Sequence, residues 1–190
     1  MLNYNTLQNR PREFLAATGL TLTEFEKLLP AFQAAYDKKY PPERTLDGQA
    51  RQRRIGAGVK GKLPSAADKL LFILVYQKTN PLQTMHGLQF GLSQAQTNYW
   101  LHHLLPVLQQ ALAALASARR IAELTRKQLI PKLDTAHKSA LALYRADQGT
   151  LSAVLEAEHR IHQARLDLLR SDTDAQTALA AIERLIGADL

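Results

Sequence analysis

The strongest constraint on this chain is a change of character near Ser117. Before it, the compact apolar run Leu70-Leu71-Phe72-Ile73-Leu74-Val75-Tyr76 is followed by the breakers Asn80-Pro81, Gly87 and Gly91. After it come two long Ala-rich patterns of helical period, joined at Asp147-Gln148-Gly149-Thr150 and free of strand-like alternation. A chain patterned this way buries its apolar stripes helix against helix. The expected fold is all-α, with a helix-turn-helix domain over residues 1–116 and a long antiparallel α-hairpin over 117–190.

Charge separates the halves as well. Residues 1–116 hold 13 Lys/Arg against 7 Asp/Glu, whereas 117–190 hold 11 against 10. The formal charge of +7 therefore comes almost wholly from the first half, and it favours an acidic partner such as nucleic acid. The absence of cysteine excludes disulfides and Cys-ligated metals. Met1 to Thr6 do not read as a signal peptide, and Leu70–Tyr76 is far short of the ~20 residues of a spanning helix. No membrane insertion and a cytoplasmic location are expected.

The first half is punctuated by capping signals. Thr21 with Glu24 forms a capping box ahead of Phe25, Leu28, Leu29, Phe32 and Tyr36, and Pro41-Pro42 ends that helix. Residues 43–64 mix Arg44, Arg51, Arg53, Arg54, Lys60 and Lys62 with glycines, as a mobile basic linker would. Ser65 and Asp68 open a second helix to about Thr79. Pro81 suits the first position of a short third helix ending between Gly87 and Gly91. Ser93 then caps a fourth, with Leu101, Leu104, Leu105, Leu108 and Leu112 on one side and Gln96, Tyr99 and His103 opposite. A short helix, a Gly-containing turn, a Ser cap and a longer helix make the helix-turn-helix layout, in which groove contacts concentrate near Ser93 and Gln94.

In the second half, Ile121, Leu124, Ile130, Leu133, Ala140 and Tyr144 give one stripe. Leu151, Val154, Leu155, Ile161, Leu168, Leu179, Ile182 and Leu185 give another. Pro131 marks a kink or a start, Gly149 a tight reversal or a helix end, and Tyr144 and Trp100 occupy stripe positions expected in the core.

Two ordered sets of residues carry resemblances. Phe14 to Leu20, Phe25 to Pro30, Asp68 to Leu74, Lys78 to Gln83, Phe90 to Gln94 and Asn98 to His102 resemble the N-terminal helix-turn-helix region of DDE-type insertion-sequence transposases. That resemblance implies a DNA-binding module ahead of a catalytic domain, and no later segment here offers the strands of such a domain. Leu129-Ile130-Pro131, Ala142 to Arg145, Gly149 to Ala157 and Leu185 to Gly187 resemble the C-terminal helical hairpin of TolC-type outer-membrane efflux factors. It implies a periplasmic tip that meets an adaptor. A fusion of an insertion element with an efflux gene would account for both.

Other motifs have plainer readings. Gly56 to Gly61 spells G-x-G-x-x-G and, with Lys62, nearly a P-loop; but Leu63 stands where Ser or Thr should hold Mg²⁺, and no strand precedes it. A basic arm on DNA phosphates fits better. His102-His103, His159 with His162, and Asp167 with Asp172 and Asp174 read as solvated or seam positions, not a metal site or a catalytic set. The function expected is double-stranded DNA binding by a transposase-derived module without its catalytic domain, non-enzymatic and without cofactor or metal. Arg51, Arg53, Arg54, Lys60 and Lys62 would meet phosphates. Ser93, Gln94, Gln96, Tyr99 and His103 would face the groove. The alternative is a fragment of an efflux transporter whose hairpin meets an adaptor or its own copies. In either case the hairpin stripes demand a partner surface, through self-association or packing on the first domain, or else leave the hairpin partly molten.

Overall fold

The computed structural model describes residues 1–41, 43, 49 and 61–186, with side chains described up to residue 170. Helices α1 (Tyr4–Leu7), α2 (Pro11–Thr18), α3 (Leu22–Lys39), α4 (Ala66–Thr79), α5 (Gln83–Phe90) and α6 (Gln94–Leu124) come first. A π-helical turn, Thr125–Leu129, then leads into α7 (Ile130–Arg145) and α8 (Leu151–Ile186). Among the described residues the fold is all-helical. Two compact units result. One is Met1–Ala114, grouped with the residues from Thr177; the other is Leu115–Gln176. The compositional change at Ser117 falls inside α6, which runs on without a break.

The first unit is built around α4. Leu70 through Val75 are all buried, so this helix is apolar on every side and sits at the centre of its unit. Helices α1, α2 and α3 pack against it. Phe14 and Phe25 meet edge to face at 5.2 Å, and Tyr4 stacks on Phe25 at 5.2 Å. The predicted capping boxes form at both sites: Thr21 with Glu24, and Ser65 with Asp68. Asp68 does more than cap. Its Oδ1 accepts the Tyr4 backbone N–H at 2.9 Å while its Oδ2 accepts from Ser65 Oγ at 2.6 Å, which ties α1 to the start of α4. Helix α4 ends as expected at Thr79, closed by Asn80 in the left-handed region at φ 41°. Pro81, expected at the first position of the next helix, lies before it. Pro81 and Leu82 carry the chain round the corner, and α5 begins at Gln83.

The second unit is the hairpin. Asp134 of α7 pairs with Arg165 of α8 at 3.2 Å, while Leu133 and Ala136 line a cleft with Ala153, Ala157 and Arg160. As α7 rises toward the turn, α8 departs from it, so the helices run antiparallel. Tyr144, expected in the core, is exposed, as are Ile121 and Leu124 of the same stripe, while Ile130, Leu133 and Ala140 are half-buried; α7 buries no residue fully, and Ala122 is the inward position near the end of α6. The π turn inserts a wider turn between the two stretches, so one 3.6-residue period read across them loses phase. Pro131 explains the π turn's place, since it has no N–H to offer the preceding turn and sits in the first turn of α7. Gly149 lies in the reversal, as expected, but without a positive φ. Asp147 takes the left-handed conformation, at φ 53°. Gly149 is needed for space, because a Cβ there would lie 3.1 Å from the Tyr144 backbone nitrogen.

Candidate nucleic-acid interface

The site is built from α5, the turn at Gly91-Leu92-Ser93, and the first turns of α6. Helix α5 closes on Gly91 at φ 68°, with the Leu92 N–H donating to the Gly87 carbonyl at 2.8 Å. Gly87 sets how closely the two helices approach. A Cβ on it would stand 2.6 Å from both the Leu92 carbonyl oxygen and Thr97 Oγ1. Thr97 is fully buried, and its hydroxyl donates to the Ser93 carbonyl at 2.9 Å. Ser93 caps α6 as expected. Its Oγ accepts the Gln96 N–H at 3.2 Å, and Gln96 Oε1 accepts the Ser93 N–H at 3.0 Å. Helix α5 is anchored to α4 from beneath through His86 and Phe90, whose rings lie 4.4 and 5.1 Å from that of Phe72. The chain's start is pinned here too, with the Leu2 N–H donating to the Gln89 carbonyl at 2.7 Å.

The expected face of α6 is turned by rather less than one residue. The buried line runs Thr97, Leu101, Leu104, Val107, Leu108 and Ala111, while Leu105 and Leu112 fall to its edge. Thr97 takes the inside at the crossing, where Gly87 leaves room for its side chain. Opposite this line lie Ala95, Asn98, Tyr99 and His102, all exposed. Of the expected contact residues, Ser93, Gln94, Gln96 and Tyr99 are exposed at this end of α6, with the side-chain oxygen of Gln96 committed to the cap. His103 is drawn inward. Its Nδ1 donates to the Tyr99 carbonyl at 2.8 Å, its ring lies 5.5 Å from Tyr40, and the Tyr40 hydroxyl donates to its carbonyl at 3.4 Å. Burial raises the Tyr40 pKa, with a smaller contribution from Tyr99. Burial likewise lowers that of Lys69, whose ammonium lies 5.1 Å from the Tyr36 ring and 5.9 Å from that of Trp100. Trp100 is half-buried rather than core.

The residues sequence reasoning missed are Gln83, Asn98 and His102. Gln94 Nε2 donates to Gln83 Oε1 at 3.3 Å, and Gln83 Nε2 donates to Asn98 Oδ1 at 3.2 Å. These amides form a chain across the starts of α5 and α6, with donor and acceptor atoms at the surface. Nothing in helical period alone marks Gln83, because the link crosses two helices. Lys62 is exposed just ahead of α4, while the adjacent Leu63 is buried and fixes that segment. Arg44, Arg51, Arg53, Arg54 and Lys60 lie outside the described residues. Among the described residues, no three His, Asp or Glu side chains cluster so as to hold a metal ion, and no helix is long and apolar enough to cross a membrane.

Residues 61–114 match the family model of the helix-turn-helix of DDE superfamily endonuclease. The match begins just ahead of α4 and ends inside α6, so it takes in the turn, Gly87 and the whole amide chain. It gives no support to the efflux-factor resemblance of the later residues or to a fused origin. No curated protein and no solved structure matches the chain.

Proposed function

We propose that the chain binds double-stranded DNA through residues 61–114, with the first turns of α6 entering the major groove. The observation that carries this reading is the joint one: a tight α5–Gly91–α6 crossing, within the matched stretch, presents Gln94, Asn98, Tyr99 and His102 at the exposed start of a helix. Asparagine and glutamine amides pair bidentately with adenine, and a cluster of them at a helix start is equipped for base-edge contact. Arg51, Arg53, Arg54, Lys60 and Lys62 supply phosphate contacts in this reading, which accounts for the basic balance of the first half.

The test is fluorescence anisotropy of the full chain on labelled duplexes, titrated with salt. Affinity should fall steeply as salt rises. Asn98→Ala and His102→Ala should each weaken binding by about 1–3 kcal/mol on the preferred sequences. Gln96→Ala should cost mainly helix-cap stability, about 1 kcal/mol. Absence of binding at low salt, or binding indifferent to both Asn98 and His102, refutes the assignment of this face.

A further inference from the structure

Helix α8 carries two apolar lines, not one. Val154, Ile161 and Ala164 are buried in the hairpin. Leu151, Leu155, Leu166 and Leu169 are instead 52, 55, 51 and 64% exposed. At ~100° per residue these four, together with Glu158 and His162, share an arc of roughly 80°, about 120° round the helix from the buried line. Leucines scattered singly over a surface need no explanation, but leucines aligned on one face of one helix mark an interaction site.

We propose that this face of α8 pairs antiparallel with the same face of a second copy of the chain. Two observations select that occupant. The first is that the face reads the same from both ends. Turned about a point midway between Glu158 and His162, Leu151 falls opposite Leu169, Leu155 falls within one residue of Leu166, and Glu158 falls opposite His162. Self-complementarity of this kind is what a two-fold interface requires. The second is charge. Glu158 lies on the face itself, one turn from His162, whose Nε2 is 3.8 Å from its carboxylate. Antiparallel pairing sets Glu158 opposite His162 of the other copy, whereas parallel pairing sets Glu158 on Glu158. Contact from Leu151 to Leu169 extends over about 27 Å of helix. It joins two hairpins into a four-helix layer, the arrangement that gives short two-helix units an adequate core. The proposal rests on α8 alone and is independent of DNA binding.

The experiment uses the full chain. Sedimentation at about 20 μM should give a dimer. Leu155→Ser combined with Leu166→Ser should weaken association at least tenfold and leave far-UV helicity unchanged, because both side chains are exposed in the single chain. Orientation is read by cross-linking. The chain has no cysteine, so Glu158→Cys and His162→Cys chains, mixed and oxidised, should form a disulfide-linked dimer far more readily than either chain alone. A monomeric wild type overturns the proposal, as does a double-Ser variant that stays dimeric. Glu158→Cys alone cross-linking as well as the mixture shows a parallel pair and overturns it too.

Discussion

His86 is fully buried between the rings of Phe72, Phe90 and Tyr76, and neither ring nitrogen finds a hydrogen-bond partner among the described residues. Burial drives its pKa from 6.5 down to about 4; the Phe72 backbone carbonyl pulls weakly the other way without making a bond of normal geometry. The unfolded chain takes up this proton below about pH 6.5, and the folded chain only near pH 4. Stability is therefore full above pH 6.5 and falls by roughly 3 kcal/mol as pH drops through that window. His86→Phe keeps a ring in the aromatic pocket and removes the proton site. Urea unfolding at pH 7 and pH 5 should show a clear loss for the wild type and a smaller one for the variant; parallel pH slopes would count against the buried neutral state. Gly87, the next residue, tests the helix crossing. Gly87→Ala forces its Cβ onto the Leu92 carbonyl and should cost about 1–3 kcal/mol. Gly61→Ala is the control, since among the described residues a Cβ there meets nothing within 4 Å, and stability should stay within about 0.5 kcal/mol.

At the level of elements, what was legible in the sequence was what local chemistry decides. The capping boxes at Thr21 and Ser65, the Ser93 cap, the breaks at Asn80 and Gly91 and the burial of the Leu70 run all stand where spacing put them. Phase was less legible. On α6 the inward line takes in Thr97, whose polar side chain fits the space left at Gly87, and Val107 rather than Leu105, which lies at its edge. From α6 to α7 the π turn shifts the period, and no residue type announces such a turn except Pro131 after it. In the reversal before α8 the glycine drew attention while the left-handed residue was Asp147. That distinction is measurable by thermal melting. Asp147→Gly places the permissive residue where φ is positive, so stability should hold or rise by up to about 1 kcal/mol. Gly149→Ala brings a Cβ to 3.1–3.2 Å from Tyr144 and Leu143, including their backbone atoms, and should destabilise the hairpin. The opposite order of effects would return the reversal to Gly149.

Across the whole molecule, the two proposals assign the basic balance of residues 1–116 and the exposed leucine face of α8 to different partners: a polyanion and a second copy. Their combination has a consequence that neither has alone. The salt dependence of DNA binding scales with the number of phosphates neutralised, because each releases condensed counterions, at about 0.9 per phosphate on duplex DNA. A dimer with two basic modules on one long duplex neutralises up to twice as many phosphates as a single chain, and linking the modules raises affinity without any new contact. The expected outcome on a duplex of about 60 base pairs is therefore a salt slope up to twice as steep for the wild type as for the Leu155→Ser, Leu166→Ser chain. The two substitutions change no charge, so the difference reports association alone. On a duplex long enough for only one module the two slopes should agree. Replacing Arg51, Arg53 and Arg54 by Ala should flatten the slope on both duplexes and for both chains, since it removes phosphate contacts and leaves the α8 face intact. Equal slopes on the long duplex, in a wild type shown to be dimeric, would mean that only one module of the pair engages DNA at a time.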